Sequence, residues 1–414
     1  MKKFTAISGI MGNALEWYDF LLYAYFASLL APLFFPNKSA FLSLLMMLGV
    51  FAVGFLARPL GAIVIGNFGD KYGRKKALVF SITIMTLATA CVGLLPTYSS
   101  IGYLAPFLLV SIRCLQGFAV AGEVGTATSF LVEHASKNRR GLMGSFVVAN
   151  AWLGILLAAL VITLVTNFVP KNMLDSWAWR LPFLLVVPFG IVGLIIRLHT
   201  TESPQFLAIK NIHVNPIKTI LVNYPTVLFR AILLTAITAI SDYLLIGYFT
   251  IYLSNTKGLQ LKDAMLINTI SICVFLFFIP LFGFLSDRFG RKKIFSGGLL
   301  SLMVFIFPIF FLLSYKTFFL SLIAEILFVV ILAAMDGVIL TMLAELFPTE
   351  IRNTGLTLSY NIALALFGGT APFIATALVH ATHLSLAPAM YSIFAAAIAL
   401  ISIFFFKETY RLPL

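Results

Sequence analysis

Charged side chains are scarce in this chain. Aspartate, glutamate, lysine and arginine make up 10% of its 414 residues and apolar residues make up 61%, whereas a soluble domain carries about 25% charged residues. The mean hydropathy is +1.04. So few charges cannot cover the surface of a soluble protein of this length. The composition therefore excludes an ordinary soluble enzyme, a disordered chain and a secreted disulfide scaffold, and it indicates that lipid surrounds most of the chain.

Metal-binding and catalytic signatures are also missing. The three cysteines, Cys91, Cys114 and Cys273, show no paired spacing, which argues against a zinc site or a disulfide framework. The one close histidine pair, His380 and His383, has no carboxylate or cysteine at ligand spacing, so we expect no metal. No phosphate-binding loop, H-E-x-x-H or G-x-S-x-G motif occurs, and we therefore expect neither an enzyme nor a cofactor.

Long apolar runs dominate the sequence. A helix needs about 20 apolar residues to cross roughly 30 Å of hydrocarbon, and twelve stretches reach that length. We therefore predict an all-α membrane protein with twelve transmembrane helices. The predicted spans are about 8–31, 41–68, 77–95, 102–133, 141–168, 179–199, 227–254, 262–286, 293–313, 317–345, 353–380 and 385–406.

The placement of the basic residues predicts the orientation of these spans. The net charge of +13 does not indicate nucleic acid, because most basic residues lie in short loops between spans. With a cytoplasmic N-terminus, 20 of the 28 lysines and arginines fall inside, five fall outside, and Arg58, Arg113 and Arg180 lie in the membrane or at its edge. This asymmetry predicts that both termini are cytoplasmic.

The chain contains an internal repeat. Residues 66–76 read GNFGDKYGRKK and residues 283–293 read GFLSDRFGRKK, and a second echo, TESPQFL and KETYRLPL, follows the last span of each half. The longest polar connection separates two sets of six spans. We predict an N-terminal bundle (1–199), a cytoplasmic linker (200–226) and a C-terminal bundle (227–414), related by a pseudo-twofold axis with the substrate cavity between them.

The repeated motif carries residues suited to a gate. Glycines permit close helix contact and tight turns, and the aspartates can accept hydrogen bonds from an arginine or a helix N-terminus. Two copies at matching positions favour this role over charges that merely set topology. The predicted gating residues are Gly66, Asp70, Gly73, Arg74, Gly283, Asp287, Gly290 and Arg291.

This motif resembles the signature loop of the major facilitator superfamily, in which a cytoplasmic charge network forms and breaks during alternating access. Further stretches resemble its metabolite:proton symporter family, which includes proline/betaine, 2-oxoglutarate, citrate and shikimate transporters. They are GNALEWYDFLLYAYF (12–26), FLARPLGA (55–62), RCLQGFAVAGE (113–123), SWAWRLPF (176–183), TESPQFL (201–207), ELFPTEIRNTGL (345–356) and FGGTAPF (367–373). The resemblance implies a monomeric symporter in a bacterial cytoplasmic membrane, with protons and a small polar metabolite as its partners.

Charged residues inside the spans are candidates for proton coupling, because burying them is costly. A carboxyl group whose arginine contact can break changes its proton affinity during transport. In sugar symporters of the superfamily a helix-one aspartate faces a helix-four arginine, and Asp19 and Arg113 resemble that pair. We rank Asp19 first, Glu16 second and Glu123 third. The alternative for each is a structural ion pair that only braces two helices.

Other polar residues of the spans are candidates for substrate binding. They are Asn13, Tyr23, Arg58, Gln116, Asp242, Tyr243 and Asp336. The arginines suit a carboxylate, but Asp242 and Asp336 would repel a di- or tricarboxylate. We therefore expect an amino acid or betaine-like osmolyte rather than citrate or 2-oxoglutarate. The main alternative is a proton symporter of a mono-, di- or tricarboxylate of the 2-oxoglutarate, citrate or shikimate type. An efflux antiporter and a receptor that binds without transport also remain open.

Overall fold

The protein is helical throughout the part that the structure describes. The computed structural model describes residues 3–208, 215–256, 258–384, 386–410 and 412, and no strand occurs among them. Helix is the expected state here, because a chain in lipid must satisfy its backbone hydrogen bonds within each span. Residues 209–214 of the predicted linker lie outside the described residues.

Twelve long helices follow one another within these described ranges. They are α1 Lys3–Phe34, α2 Ala40–Tyr72, α3 Arg74–Leu94, α4 Leu104–His134, α5 Arg140–Phe168, α6 Ala178–Leu198, α7 Pro225–Tyr243, α8 Leu261–Phe289, α9 Arg291–Leu313, α10 Phe318–Leu346, α11 Arg352–Thr382 and α12 Ala387–Phe404. Ten of these regions are long and apolar enough to cross a membrane, and α1 and α2 have 32 and 33 residues. Short helices connect them at Tyr98–Ile101, Lys137–Arg139, Lys171–Ser176, Pro204–Ala208 and Pro216–Asn223.

Two helices depart from regular α-geometry. After α7 the chain is π-helical over Leu244–Tyr248 and again over Tyr252–Thr256, and α11 is π-helical over Leu364–Gly368. Such wider turns occur frequently at functional sites. The apolar pattern of the sequence does not distinguish them from α-helix.

The chain divides into two compact units. The N-terminal unit comprises Met1–Phe130 and Asn150–His213, and the C-terminal unit comprises Leu131–Ala149 and Val214–Leu414. The end of α4 and the start of α5 therefore group with the C-terminal unit. The division into bundles at 1–199 and 227–414 stays a prediction.

Glycine permits close helix packing inside the N-terminal unit. A Cβ atom added to Gly117 of α4 would collide with the carbonyl oxygen of Gly54 in α2, and one added to Gly61 would collide with that of Phe118. These two backbones can approach each other only because a side chain is missing at the contact. The approach places the polar residues of α2 and α4 next to those of α1.

Candidate functional site

A buried polar cluster lies at the centre of the N-terminal unit. Arg113 Nη1 donates to Asp19 Oδ2 at 2.8 Å and to Gln116 Oε1 at 2.8 Å. Gln116 Nε2 donates to Asp19 Oδ1 at 3.0 Å and to Thr89 Oγ1 at 2.9 Å. The guanidinium carbon of Arg113 lies 4.0 Å from the ring centroid of Tyr23. The structure thus brings together four of the predicted residues, with Thr89 added from α3.

Glu16 lies beside this cluster and is held more loosely. Its Oε1 is 3.7 Å from Nη1 of Arg58, and neither carboxylate oxygen has a hydrogen-bond partner among the described residues. The Arg58 guanidinium stacks 4.8 Å from the Phe55 ring centroid. Glu16, Arg58 and Asp19 line a cavity of about 20 Å³, which has room for about one water molecule. The two predicted acidic residues of α1 are therefore both accessible from one small polar cavity.

Glu123, the third predicted coupling residue, is paired with an arginine of another helix. It forms an ion pair with Arg197 of α6, with Nη1 of Arg197 3.2 Å from its Oε2, and Arg197 also bonds the carbonyl of Leu78. Sequence reasoning had counted Arg197 only as a topology charge. In the sequence, only its position in the last turn of an apolar span indicates that Arg197 has a role inside the membrane.

Asn13, a predicted substrate-binding residue, is buried on α1 at 1% exposure.

The C-terminal unit holds a carboxyl pair. Asp242 of α7 and Asp336 of α10 lie within hydrogen-bonding distance of each other. One oxygen of each has no hydrogen-bond partner, and neither residue forms a salt bridge in the described part of the chain. The neighbouring Tyr243 packs against α11, where a Cβ on Gly368 would lie 2.9 Å from Tyr243 Cε2. The structure thus brings together Asp242 and Asp336, two of the predicted substrate residues, across 94 positions of sequence.

The first copy of the repeated motif forms a closed turn between α2 and α3. Gly73 has φ 109°, a conformation that costs little only for glycine. Arg74 Nη1 bonds Asp70 Oδ1 at 2.8 Å and the carbonyl of Gly69 at 2.7 Å. The backbone amides of Arg74 and Lys75 donate to the carboxylate of Glu202 at 3.1 to 3.2 Å. Glu202 therefore caps the N-terminus of α3. Gly66 lies in α2, one turn before Asp70.

The second copy repeats this arrangement. Gly290 has φ 103°, Arg291 Nη1 bonds Asp287 Oδ1 at 2.8 Å, and the amides of Arg291 and Lys292 donate to Glu408 at 3.0 and 3.1 Å. Sequence reasoning missed both capping glutamates. The repeated pattern of TESPQFL and KETYRLPL indicates both caps, because the capping glutamate is the second residue of each stretch.

The second copy has additional partners within its own unit. Asp287 accepts hydrogen bonds from the backbone amides of Gly141 and Leu142 at 2.8 and 2.9 Å, at the start of α5. Arg291 Nη2 lies 3.1 Å from Glu345 Oε1. A Cβ on Gly283 would lie 2.6 Å from Cβ of Ser145, so its absence lets α8 meet α5. This polar network joins α5, α8, α9 and α10, which is the kind of contact that a gate must break.

Comparisons with known proteins agree with this architecture. A family model described as Sugar (and other) transporter matches residues 5–221, and one described as Major Facilitator Superfamily matches residues 231–413. The chain belongs to the major facilitator superfamily.

Curated relatives narrow the family. Over 426 residues the chain is 36% identical to the glycine betaine/proline/ectoine/pipecolic acid transporter OusA of Dickeya dadantii, covering 100% of this chain and 84% of that protein. The proline/betaine transporter of Escherichia coli K12 is 36% identical over 429 residues, with the same coverage of 100% and 84%. The citrate-proton symporter of Klebsiella pneumoniae is 33% identical over 398 residues, covering 94% and 88%. The predicted resemblance to proline/betaine transporters is confirmed.

Solved structures share the fold. The proton:xylose symporter XylE, bound to 6-bromo-6-deoxy-D-glucose, superposes with a TM-score of 0.81 at 16% identity, covering 98% of this chain and 96% of that one. A partially occluded inward-open XylE from E. coli gives 0.72 at 18% identity, covering 99% and 98%. The predicted all-α major facilitator fold is confirmed, and the chain is a multi-pass membrane transporter rather than an enzyme.

Proposed function

We propose that this transporter takes up a small zwitterion, of the proline or betaine type, together with protons. The observation that carries the substrate class is the Asp242–Asp336 pair, two carboxyls in contact with no basic side chain in a salt bridge to either in the described chain. Two adjacent carboxyls in a low-dielectric site share a proton or attract a cation. A secondary or quaternary ammonium group meets that requirement.

The arginines of the N-terminal unit support the same conclusion. Arg113 is already neutralised by Asp19 at 2.8 Å, and Arg58 has Glu16 at 3.7 Å. A tricarboxylate needs several basic groups that are not already paired. Within the described residues, Arg113 and Arg58 are both already paired with a carboxylate. The citrate-proton symporter among the relatives nevertheless makes carboxylate transport the alternative to be tested.

The test is an uptake panel in proteoliposomes carrying an inward proton gradient. Labelled proline and glycine betaine should accumulate, citrate and 2-oxoglutarate should not, and a protonophore should abolish the accumulation. Accumulation of citrate without proline would overturn the proposed substrate. Depletion of proline from loaded vesicles under an opposite gradient would indicate efflux, and binding without flux would indicate a receptor.

We propose that Asp19 carries the coupled proton. A proton on Asp19 would cancel the negative charge that binds Arg113. Arg113 would then keep its hydrogen bond to Gln116 and lose its ion pair. Glu16, whose ion pair is longer, is the second candidate, and Glu123 is the third. The pairing of Glu123 with Arg197 supports a bracing role for that residue.

Asp19→Asn tests the coupling role. We expect this variant to retain exchange of labelled for unlabelled proline at equal concentration, because exchange needs no net proton movement. It should lose uphill accumulation. Glu123→Gln compares the third candidate with the first, and it should couple normally because its ion pair with Arg197 braces α4 against α6. Uphill accumulation by Asp19→Asn would move the coupling site elsewhere, with Glu16→Gln the next variant to measure.

We also propose that the protein acts as a monomer in a bacterial inner membrane, with both termini cytoplasmic and bundles at 1–199 and 227–414 joined by a cytoplasmic linker. The distribution of basic residues supports this orientation. In a cysteine-free background, Asn37→Cys should react with an impermeant maleimide added outside, whereas Thr201→Cys should react only after permeabilisation. The reverse pattern would invert the topology.

A further inference from the structure

Another buried carboxyl group lies in the C-terminal unit, away from the Asp242–Asp336 pair. Glu325 of α10 is fully buried and lies three helical turns from Asp336. Asn268 of α8 donates from Nδ2 to Glu325 Oε2 at 3.5 Å, and Ser271 of α8 faces the same carboxyl. The Oε1 atom of Glu325 and the hydroxyl of Ser271 have no hydrogen-bond partner in the described chain. Such orphaned polar atoms are costly in a helix bundle.

Among the described residues, no base compensates this carboxyl. Glu325 forms no salt bridge within 4.0 Å among the described residues. The elements packed against α10 are α7, α8, α9 and α11. We consider the charged and titratable side chains of these helices, of α10 itself and of the π-helical segments after α7. In the described residues they are Arg230, Asp242, Tyr243, Tyr248, Tyr252, Lys262, Asp263, Cys273, Asp287, Arg288, Arg291, Lys292, Lys293, Asp336, Glu345, Arg352, Tyr360 and His380.

Most of these groups lie at helix ends or have other partners. Lys262 is exposed at the start of α8, two turns from Asn268. Arg291 and Arg352 are bound to Glu345 and Glu133. An ionised carboxylate buried without a partner costs several kcal/mol. A proton is the cheapest compensation for Glu325, because it removes the charge without requiring a base.

Asn268 connects this carboxyl to the π-helical segment Leu244–Tyr248. The same Nδ2 group that lies 3.5 Å from Glu325 donates to the carbonyl of Leu245 at 2.8 Å. An ionised carboxylate attracts an amide donor about twice as strongly as a neutral acid does. Loss of the proton from Glu325 would therefore draw Asn268 away from Leu245, and gain of the proton would leave the amide on the π-helical carbonyl.

We propose that Glu325 is a second proton-binding site, separate from Asp19, and that its proton determines whether Asn268 holds the π-helical turn after α7. Proton binding at Glu325 rests on its own surroundings. Only its use in uptake rests on the proposed proton symport. The two claims can therefore fail independently.

Infrared difference spectroscopy of the reconstituted protein tests the proton directly. On raising the pH we expect the carboxylic C=O band to lose intensity, and Glu325→Gln should remove that component. Asp19→Asn should retain it. A set of pH-dependent bands that is the same in wild type and Glu325→Gln would overturn the proposal. If the Glu325 band titrates but proline is not accumulated, the proton site stands and the symport proposal fails.

Hydrogen exchange tests the link to the π-helical turn and includes wild-type protein, so it does not depend on a variant folding. Protection factors of the amides in 244–256 should fall as the pH rises in wild type. They should stay high in Glu325→Gln, which resembles the protonated acid, and should be low at every pH in Asn268→Ala. Wild-type protection that is independent of pH, or a pH dependence that survives in Asn268→Ala, would contradict the proposal.

Discussion

The two units handle buried carboxylates in opposite ways. In the N-terminal unit each acidic residue of the site has an arginine: Asp19 has Arg113, Glu16 has Arg58 and Glu123 has Arg197. In the described membrane interior of the C-terminal unit, Asp242, Asp336 and Glu325 have none. In the first arrangement an arginine balances the charge of each carboxylate. The second leaves carboxyls whose charge can be balanced only by a proton or a cationic ligand.

The turns of the repeated motif show the opposite relation, since both units use the same device there. Glu202 and Glu408 each accept from two backbone amides at the start of the helix that follows the repeated motif. Duplication has therefore preserved the turn and its cap. It has not preserved the polar chemistry of the membrane interior. The two units therefore share the turn of the repeated motif and differ in how they balance buried carboxyl groups.

The largest expected effect comes from removing one partner of a paired charge. Arg113→Ala leaves Asp19 buried without its base, so we expect a loss of about 3–5 kcal/mol in the free energy of unfolding. Thermal denaturation in detergent measures it. The double variant Asp19→Asn with Arg113→Met removes both charges and should recover most of this loss. An Arg113→Ala protein as stable as wild type would contradict the paired description of the N-terminal unit.

A smaller effect is expected from the two helix caps, and it should be equal in the two units. Glu202→Gln keeps the size of the side chain but removes the charge at the N-terminus of α3, which costs about 0.3–1 kcal/mol. Glu408→Gln should cost the same at α9. Stability and proline uptake are the measurements. A cost in one variant only would show that the caps are not equivalent.

The smallest effect on stability should come from Asp336→Asn. This change removes one charge from a pair that has no base, so the unfolding free energy should stay within about 0.5 kcal/mol of wild type or rise. Proline affinity should nevertheless fall about tenfold, which corresponds to the roughly 1.4 kcal/mol expected of a charge-assisted contact. Ser241→Ala, next to Asp242, serves as the control and should retain affinity. A large stability loss with unchanged affinity would make Asp336 a structural residue.

Part of the site was predictable because its residues lie close together on one helix or within one motif. Glu16 and Asp19 are three residues apart, a spacing that puts both on one face of a helix, and the duplicated motif located the turns at Gly73 and Gly290. The resemblance to a known family paired Asp19 with Arg113. The partner of Glu123 was not predictable, because Arg197 follows it by 74 residues and helical spacing carries no information at that separation.

The amino-acid sequence by itself determined that lipid surrounds most of the chain. It also determined the number of helices, the internal repeat and the residues that are costly to bury. These properties follow from composition and periodicity along one chain. Only the tertiary structure decided which buried charge meets which partner. It placed Asp242 against Asp336, Glu325 beside Asn268, and Glu202 and Glu408 on the helix ends. The physical reason is that an ion pair or a shared proton depends on a few ångströms between helices, and helix packing sets those distances.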